Sequence, residues 1–462
     1  MLLGKASAPR QSIGQGADVP ASIRHPGAPR FWIAVILTGV GAGIGAALLT
    51  ALLKEVQGLA WGAYEPSELL EAARRASASR HVLLLLGAGI LTGAGQWLLT
   101  RLSSGNGIDI TAAIWFQAGR LPTLRTLGSA VLSIVIVGMG AALGREGAPK
   151  QTGAIFGNLT SSWQRLSDEQ RRLMVAIGAG AGMAAVYSVP LGGALFALEV
   201  LRGALALRLV LPALVASTIA TAIAMAIIPN APIYAIPPAD VTWRVDLWAL
   251  VASPVIGLWS VAFVRAIAWA DRIRPTHWLR IVAPPVVFLG LGLISIPFPE
   301  TLGNGQNLAE TLFVRGLPPL ALLLLLPIRP LCTVACFASG APGGLFTPSL
   351  AAGALAGAAL GLLSHAFVPE TQVGVFALLG AGAMLSATTQ GPISSLVLMI
   401  ELTGQARAFA LPMLIAIVGA TLTARNIELR SIYEARLTDA EVAERARARG
   451  LARSSTTATP PA

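Results

Sequence analysis

Residues 144–157 read GREGAPKQTGAIFG. Arg145 and Glu146 stand between two apolar runs, Gly144 and Gly147 permit tight backbone geometry, and Pro149 suits the first turn of a new helix. An ionisable pair at such depth in an apolar chain is costly and by default marks a pathway. The stretch therefore reads as a broken helix, with backbone N–H groups facing a cavity and one carboxylate placed before them. Positive helix ends attract anions, so Glu146 is expected to act as a plug that competes with an anion. Residues 344–354, GLFTPSLAAGA, align with GREGAPKQTGA at an offset of 200. A second pair of segments agrees: Gly178, Gly180, Ala181, Ala185, Pro190 and Glu199 recur at an offset of 202 as Gly380, Gly382, Ala383, Ala387, Pro392 and Glu401. Two matches at nearly one offset predict two related halves. Inverted membrane halves that bind a substrate at the midplane are a common solution.

Working outward, composition agrees with a membrane setting. The 462 residues are 55% hydrophobic and 12% charged, with a mean hydropathy of +0.70, which predicts an all-α polytopic membrane protein. Runs near the ~20 residues that span a bilayer fall at 31–53, 81–100, 209–228, 247–270, 279–296 and 317–337. Shorter glycine-bounded pieces at 127–143, 148–162, 172–188 and 191–202 predict discontinuous helices around a substrate site. Residues 54–80 read as a solvated helical connection. The expected organisation is a polar tail at 1–30, a membrane domain at 31–437 with halves of roughly 31–230 and 245–437, and a second tail at 438–462 holding a short amphipathic helix.

The net charge of +11 gathers at the chain ends and in short connections, with no interleaved aromatics. That is positive-inside patterning: it predicts a multi-pass protein of the cell membrane, both termini cytoplasmic and an even number of crossings, with no nucleic-acid partner. No apolar segment of leader type follows the polar start, so no cleaved leader is expected. Cys332 and Cys336, at i,i+4 spacing in an apolar run, read as packing residues. The histidines His25, His81, His277 and His365 are scattered, so neither a metal nor a cofactor is expected. Gly41, Gly43 and Ala46 fit a loose dinucleotide pattern but lie inside a hydrophobic span with no preceding strand. An intramembrane enzyme using Glu146, Glu199 or His81 as a base lacks a nucleophile–base–orienter set, so the chain does not read as an enzyme.

Three glycine-bounded breaks now stand out: GNGID at 105–109, GREG at 144–147 and GGLFTP at 343–348, followed by a lone Tyr433 after the last span. Three helix N-termini converging on one cavity would hold a partly dehydrated anion without any full positive charge. Conduction requires binding weak enough for release. This set, together with the PLxGxLFxxE segment from Pro190 to Glu199, resembles the CLC family of chloride channels and chloride/proton antiporters, from about Phe31 to Leu437. The resemblance implies an inverted repeat of broken and tilted helices, working as a homodimer in the bilayer with one pore per subunit. It implies that Glu146 is the gate, that Leu345 and Phe346 offer backbone N–H groups to the anion, and that Tyr433 offers its hydroxyl. Asn106, Gly107 and Ile108 in the first break, with Arg145 and Gly147 beside the gate, would complete the anion-binding set. The paired soluble regulatory domains of many eukaryotic members are expected to be absent.

Departures from the family pattern shape the functional expectation. Asn106 stands where many members have serine, and its amide still donates a hydrogen bond. Asp109 stands where proline is usual and is expected to cap a helix start. Val200 occupies the place where the family's antiporters usually carry an internal proton-transfer glutamate, and an apolar side chain relays no proton. Glu199 and Glu401 read as structural. Lys150, one helical turn after Glu146, is expected to favour the ionised glutamate, to raise the local anion potential, or simply to snorkel to water. The sequence thus predicts glutamate-gated passage of chloride or a similar small anion, channel-like or weakly proton-coupled. Stoichiometric chloride/proton exchange is the alternative, and fluoride export a further one.

Overall fold

The computed structural model describes residues 19–20, 27–102, 109–229, 231–234, 236, 241–364, 367, 371–404 and 409–448. Among them the named elements are all helical, and seven helical stretches are long and apolar enough to cross a bilayer. The predicted spans appear as Ala28–Trp61, Ala78–Leu102, Leu207–Ala224, Trp243–Arg272, Leu279–Ser295 and Pro319–Ala338. The short pieces appear as Thr123–Gly138, Gly147–Trp163, Asp168–Tyr187 and Pro190–Phe196, the last continuing as a π-helical segment over Ala197–Arg202. The connection at 54–80 is less solvated than expected. The first helix runs to Trp61, Leu69, Leu70 and Ala73 are buried, and His81 is buried with both ring nitrogens engaged, Nδ1 by Ser295 Oγ at 2.8 Å and Nε2 by the Ala73 carbonyl at 2.9 Å.

The repeat is carried by glycines that let helix backbones touch. Gly147–Trp163 lies on Asp168–Tyr187, where a Cβ on Gly153 would sit 1.9 Å from the Gly178 carbonyl oxygen, and one on Gly178 2.1 Å from that of Gly153. In the second half Phe346–Ser364 lies on Val373–Thr389, and Gly353 and Gly380 stand in the same mutual relation at 2.5 Å each way. Such small-residue faces are how membrane helices approach closely without a hydrophobic driving force. The second helix of each pair stops at a left-handed residue, Ser188 (φ 54°) and Gln390 (φ 62°), two positions before Pro190 and Pro392.

The halves meet through reciprocal contacts between repeat partners. Gly144 N–H donates to the Gly344 carbonyl and Gly344 N–H to the Gly144 carbonyl, each at 2.7 Å, in one antiparallel bridge. Glu199 accepts from Ile393 N (3.2 Å) and Ser394 N (2.6 Å) at the start of Pro392–Thr403. Glu401, in that helix, accepts from Leu191 N (3.1 Å) and Gly192 N (2.6 Å) at the start of Pro190–Phe196. Residue i meeting j′ while j meets i′ is the signature of a two-fold relation.

The last described helix, Asp439–Ala448, lies where a short helix was expected beyond residue 438, and it docks on the preceding chain. Its Arg445 is fully buried, pairs with Glu434, donates to the Val200 and Leu201 carbonyls, and lies 5.0 Å over the Trp115 ring. A guanidinium enters so deep only because a carboxylate and two carbonyls meet its fork of donors there.

Candidate anion site

The Gly144–Gly344 bridge brings two helix N-termini together, those of Gly147–Trp163 and Phe346–Ser364. Between them lies the carboxylate of Glu146, which is wholly buried. Oε1 accepts the Phe346 N–H at 2.7 Å, while Oε2 is 3.3 Å from the hydroxyls of both Tyr187 and Thr347. These two hydroxyls are themselves 2.6 Å apart. The glycines are required by this geometry. A Cβ on Gly144 would lie 2.2 Å from Glu146 Oε1, one on Gly344 2.1 Å from the same atom, and one on Gly147 2.8 Å from Gly344 N. The carboxylate therefore holds one of the donors that the sequence reading gave to an anion, the Phe346 N–H, in a charge-assisted bond at a positive helix end.

Protons can be counted at this cluster. Two hydroxyl protons, from Tyr187 and Thr347, serve three oxygen–oxygen contacts when Glu146 is ionised. A carboxylic acid at Glu146 supplies the third. The arrangement accommodates both a bound negative charge and an added proton.

Toward the other side of the bridge the surroundings change. Lys150, 5% exposed, extends its Nζ to 3.2 Å from the Tyr433 hydroxyl, which accepts from it, and lies over the rings of Tyr433 at 4.3 Å and Phe196 at 5.4 Å. The expectation of a cradle free of full positive charge is corrected here: an ammonium touches the hydroxyl assigned to the anion. Arg145 is buried as well, its guanidinium 5.3 Å over the Tyr187 ring. Lys150, Leu345 and Tyr433 line a cavity of about 100 Å³ with Asp109, Gln151 and Arg436. A second cavity of about 400 Å³ shares Asp109, Gln151, Gly343 and Arg436 with it and is ringed by Arg125, Arg274 and Arg280. The two cavities thus share a wall that carries Arg436, and Gly147 and Lys150, in the helix that Glu146 precedes, line the smaller one.

Asp109 caps the Ile110–Phe116 helix, as expected, by accepting from Ala112 N at 2.8 Å, and it also lines these cavities. Glu199 is a helix cap, and Val200 is buried beside it with its carbonyl bound by Arg445. Asn106, Gly107 and Ile108 lie outside the described residues. Cys332 and Cys336 are buried free thiols, and no group of ligating side chains suited to a metal occurs among the described residues. Tyr187 and Thr347 were not singled out from the sequence. Thr347 lies inside the GGLFTP break and was within reach of that reading, whereas Tyr187 ends a helix and carries no local signal beyond the Pro190 that follows.

Residues 88–425 match the family model described as voltage gated chloride channel. The chain is 32% identical over 308 residues to the H(+)/Cl(-) exchange transporter ClcA of Vibrio cholerae, an alignment covering 64% of this chain and 66% of that one. It is 29% identical over 425 residues to the protein of the same name from Cronobacter sakazakii, covering 84% and 88%. Among solved structures it resembles a slow cyanobacterial Cl-/H+ antiporter (TM-score 0.75, 24% identity, 90% and 99% of the chains) and a CLC-type fluoride/proton antiporter (TM-score 0.70, 22% identity, 88% and 97%). Those likenesses establish the fold, an inverted repeat in a multi-pass membrane protein.

Proposed function

The chain belongs to the voltage gated chloride channel family, and on that premise we propose that it exchanges chloride, or a similar small anion, for protons, with Glu146 as the group for which both compete. The observation that carries the reading is the carboxylate of Glu146 bound to Phe346 N–H at 2.7 Å. An ionised Glu146 holds the site against the anion. Protonation removes its charge, weakens that bond and frees the donors. The names of the curated relatives favour exchange over the channel-like behaviour expected from Val200, since they are called H(+)/Cl(-) exchange transporters. Val200 excludes a relay only through its own side chain. Pairing of two chains, each with its own pathway, and cytoplasmic termini in a cell membrane belong to the same proposal.

Reconstituted vesicles test it. Under a chloride gradient, chloride efflux is expected to drive protons uphill, and acid is expected to raise the flux because it neutralises Glu146. Rapid chloride efflux with no proton movement would leave a channel instead.

A further inference from the structure

Exchange requires a route by which protons from the basic cavities reach a carboxylate that is wholly buried. The ionisable side chains along the smaller cavity are Asp109, Lys150, Tyr433 and Arg436. Arg436 faces Asp271 at 3.5 Å, and a guanidinium does not release its proton in a protein. Asp109 is engaged as a helix cap by Oδ1. Tyr433 can pass a proton on through its hydroxyl but is a poor store for one near neutrality. Lys150 remains. It lies one turn from Glu146 along the same helix face, its backbone N–H donating to the Glu146 carbonyl at 3.3 Å. Its Nζ reaches the Tyr433 hydroxyl, and it forms no ion pair among the described residues.

We propose that Lys150 is the internal proton relay of this chain, carrying protons from the cavity lined by Asp109 and Arg436 to Glu146. This rests on the exchange reading above. The ammonium gives one proton to the carboxylate through a water, or through the Tyr433 hydroxyl it touches and a water beyond that hydroxyl: an N–H bond breaks and an O–H bond forms on Glu146, leaving an amine and a carboxylic acid. A hydronium ion from the cavity then restores the ammonium. The neutral pair is tolerable because two separated charges in an apolar setting are costly to keep. A lysine present only to attract anions would need charge alone, and arginine would serve as well.

The test measures protons moved per chloride in vesicles holding the full chain. Wild type is expected to move protons uphill. Lys150→Arg keeps the charge but cannot hand on a proton, and Lys150→Met keeps neither. Both are expected to lose about a hundredfold in proton-to-chloride ratio, the low end for removing a positioned proton-transfer group. Lys150→His restores a group that titrates, so it is expected to recover coupling, with a pH dependence moved toward acid. Coupling in Lys150→Arg equal to wild type overturns the relay while the exchange reading stands, and so does equal loss in all three variants, which marks a structural role. A wild-type chain that moves no protons overturns both.

Discussion

At the scale of the residue, the site is governed by how few atoms surround one carboxylate. The nearest atoms to a Cβ built on Gly144 are Glu146 Oε1, Oε2 and Cδ at 2.2, 2.3 and 2.5 Å. Gly144→Ala is therefore expected to displace the carboxylate while leaving the backbone bridge intact. Loss of a charge-assisted hydrogen bond to a buried N–H shifts the balance between bound and displaced carboxylate by about 1.5–3 kcal/mol. Chloride flux in this variant should depend far less on pH than in wild type. An unchanged pH profile would mean that the carboxylate at Phe346 does not control entry. That Glu146 stands before a glycine-bounded helix start was legible in the sequence, and Phe346 and Tyr433 drew notice through a second such break and the family resemblance. That Lys150 reaches Tyr433 was not, since contact across 283 positions depends on how the last span folds back.

Among the elements, the breaks at 144–147 and 343–348 were readable from glycine and proline, and both fall at helix starts near their predicted places. The partnership between breaks was not readable. Glu199 and Glu401 look like isolated acids in apolar segments, yet each caps the helix that starts the other's motif, using two backbone N–H groups. Four orphan donors at a buried helix start need such an acceptor. An amide in place of either carboxylate offers one oxygen and turns a donor toward donors. Glu199→Gln and Glu401→Gln should each lower stability by about 1–3 kcal/mol, seen in thermal unfolding of detergent-solubilised protein, with coupling per transported chloride unchanged. Unaltered stability together with altered coupling would make these acids transport groups instead. The π-helical turn over Ala197–Arg202, which sets the carbonyls of Val200 and Leu201 toward Arg445, had no sequence signal that separates it from an ordinary helix.

For the whole molecule, the repeat at offsets of 200 and 202 predicted related halves, and the structure adds that they join at the repeated residues themselves, Gly144 with Gly344 and Glu199 with the helix of Glu401. The docking of Asp439–Ala448 escaped the sequence reading because polar, charged helices ordinarily face water, and only the buried acceptors of Arg445 reverse that preference. The account as a whole rests on one site shared in turn by a carboxylate and an anion. Anomalous scattering from bromide in crystals of wild type and Glu146→Gln, grown where Glu146 is ionised, tests this most directly. The account predicts bromide beside Phe346 N–H in Glu146→Gln and none there in wild type. Bromide at Phe346 in both, or in neither, would contradict it.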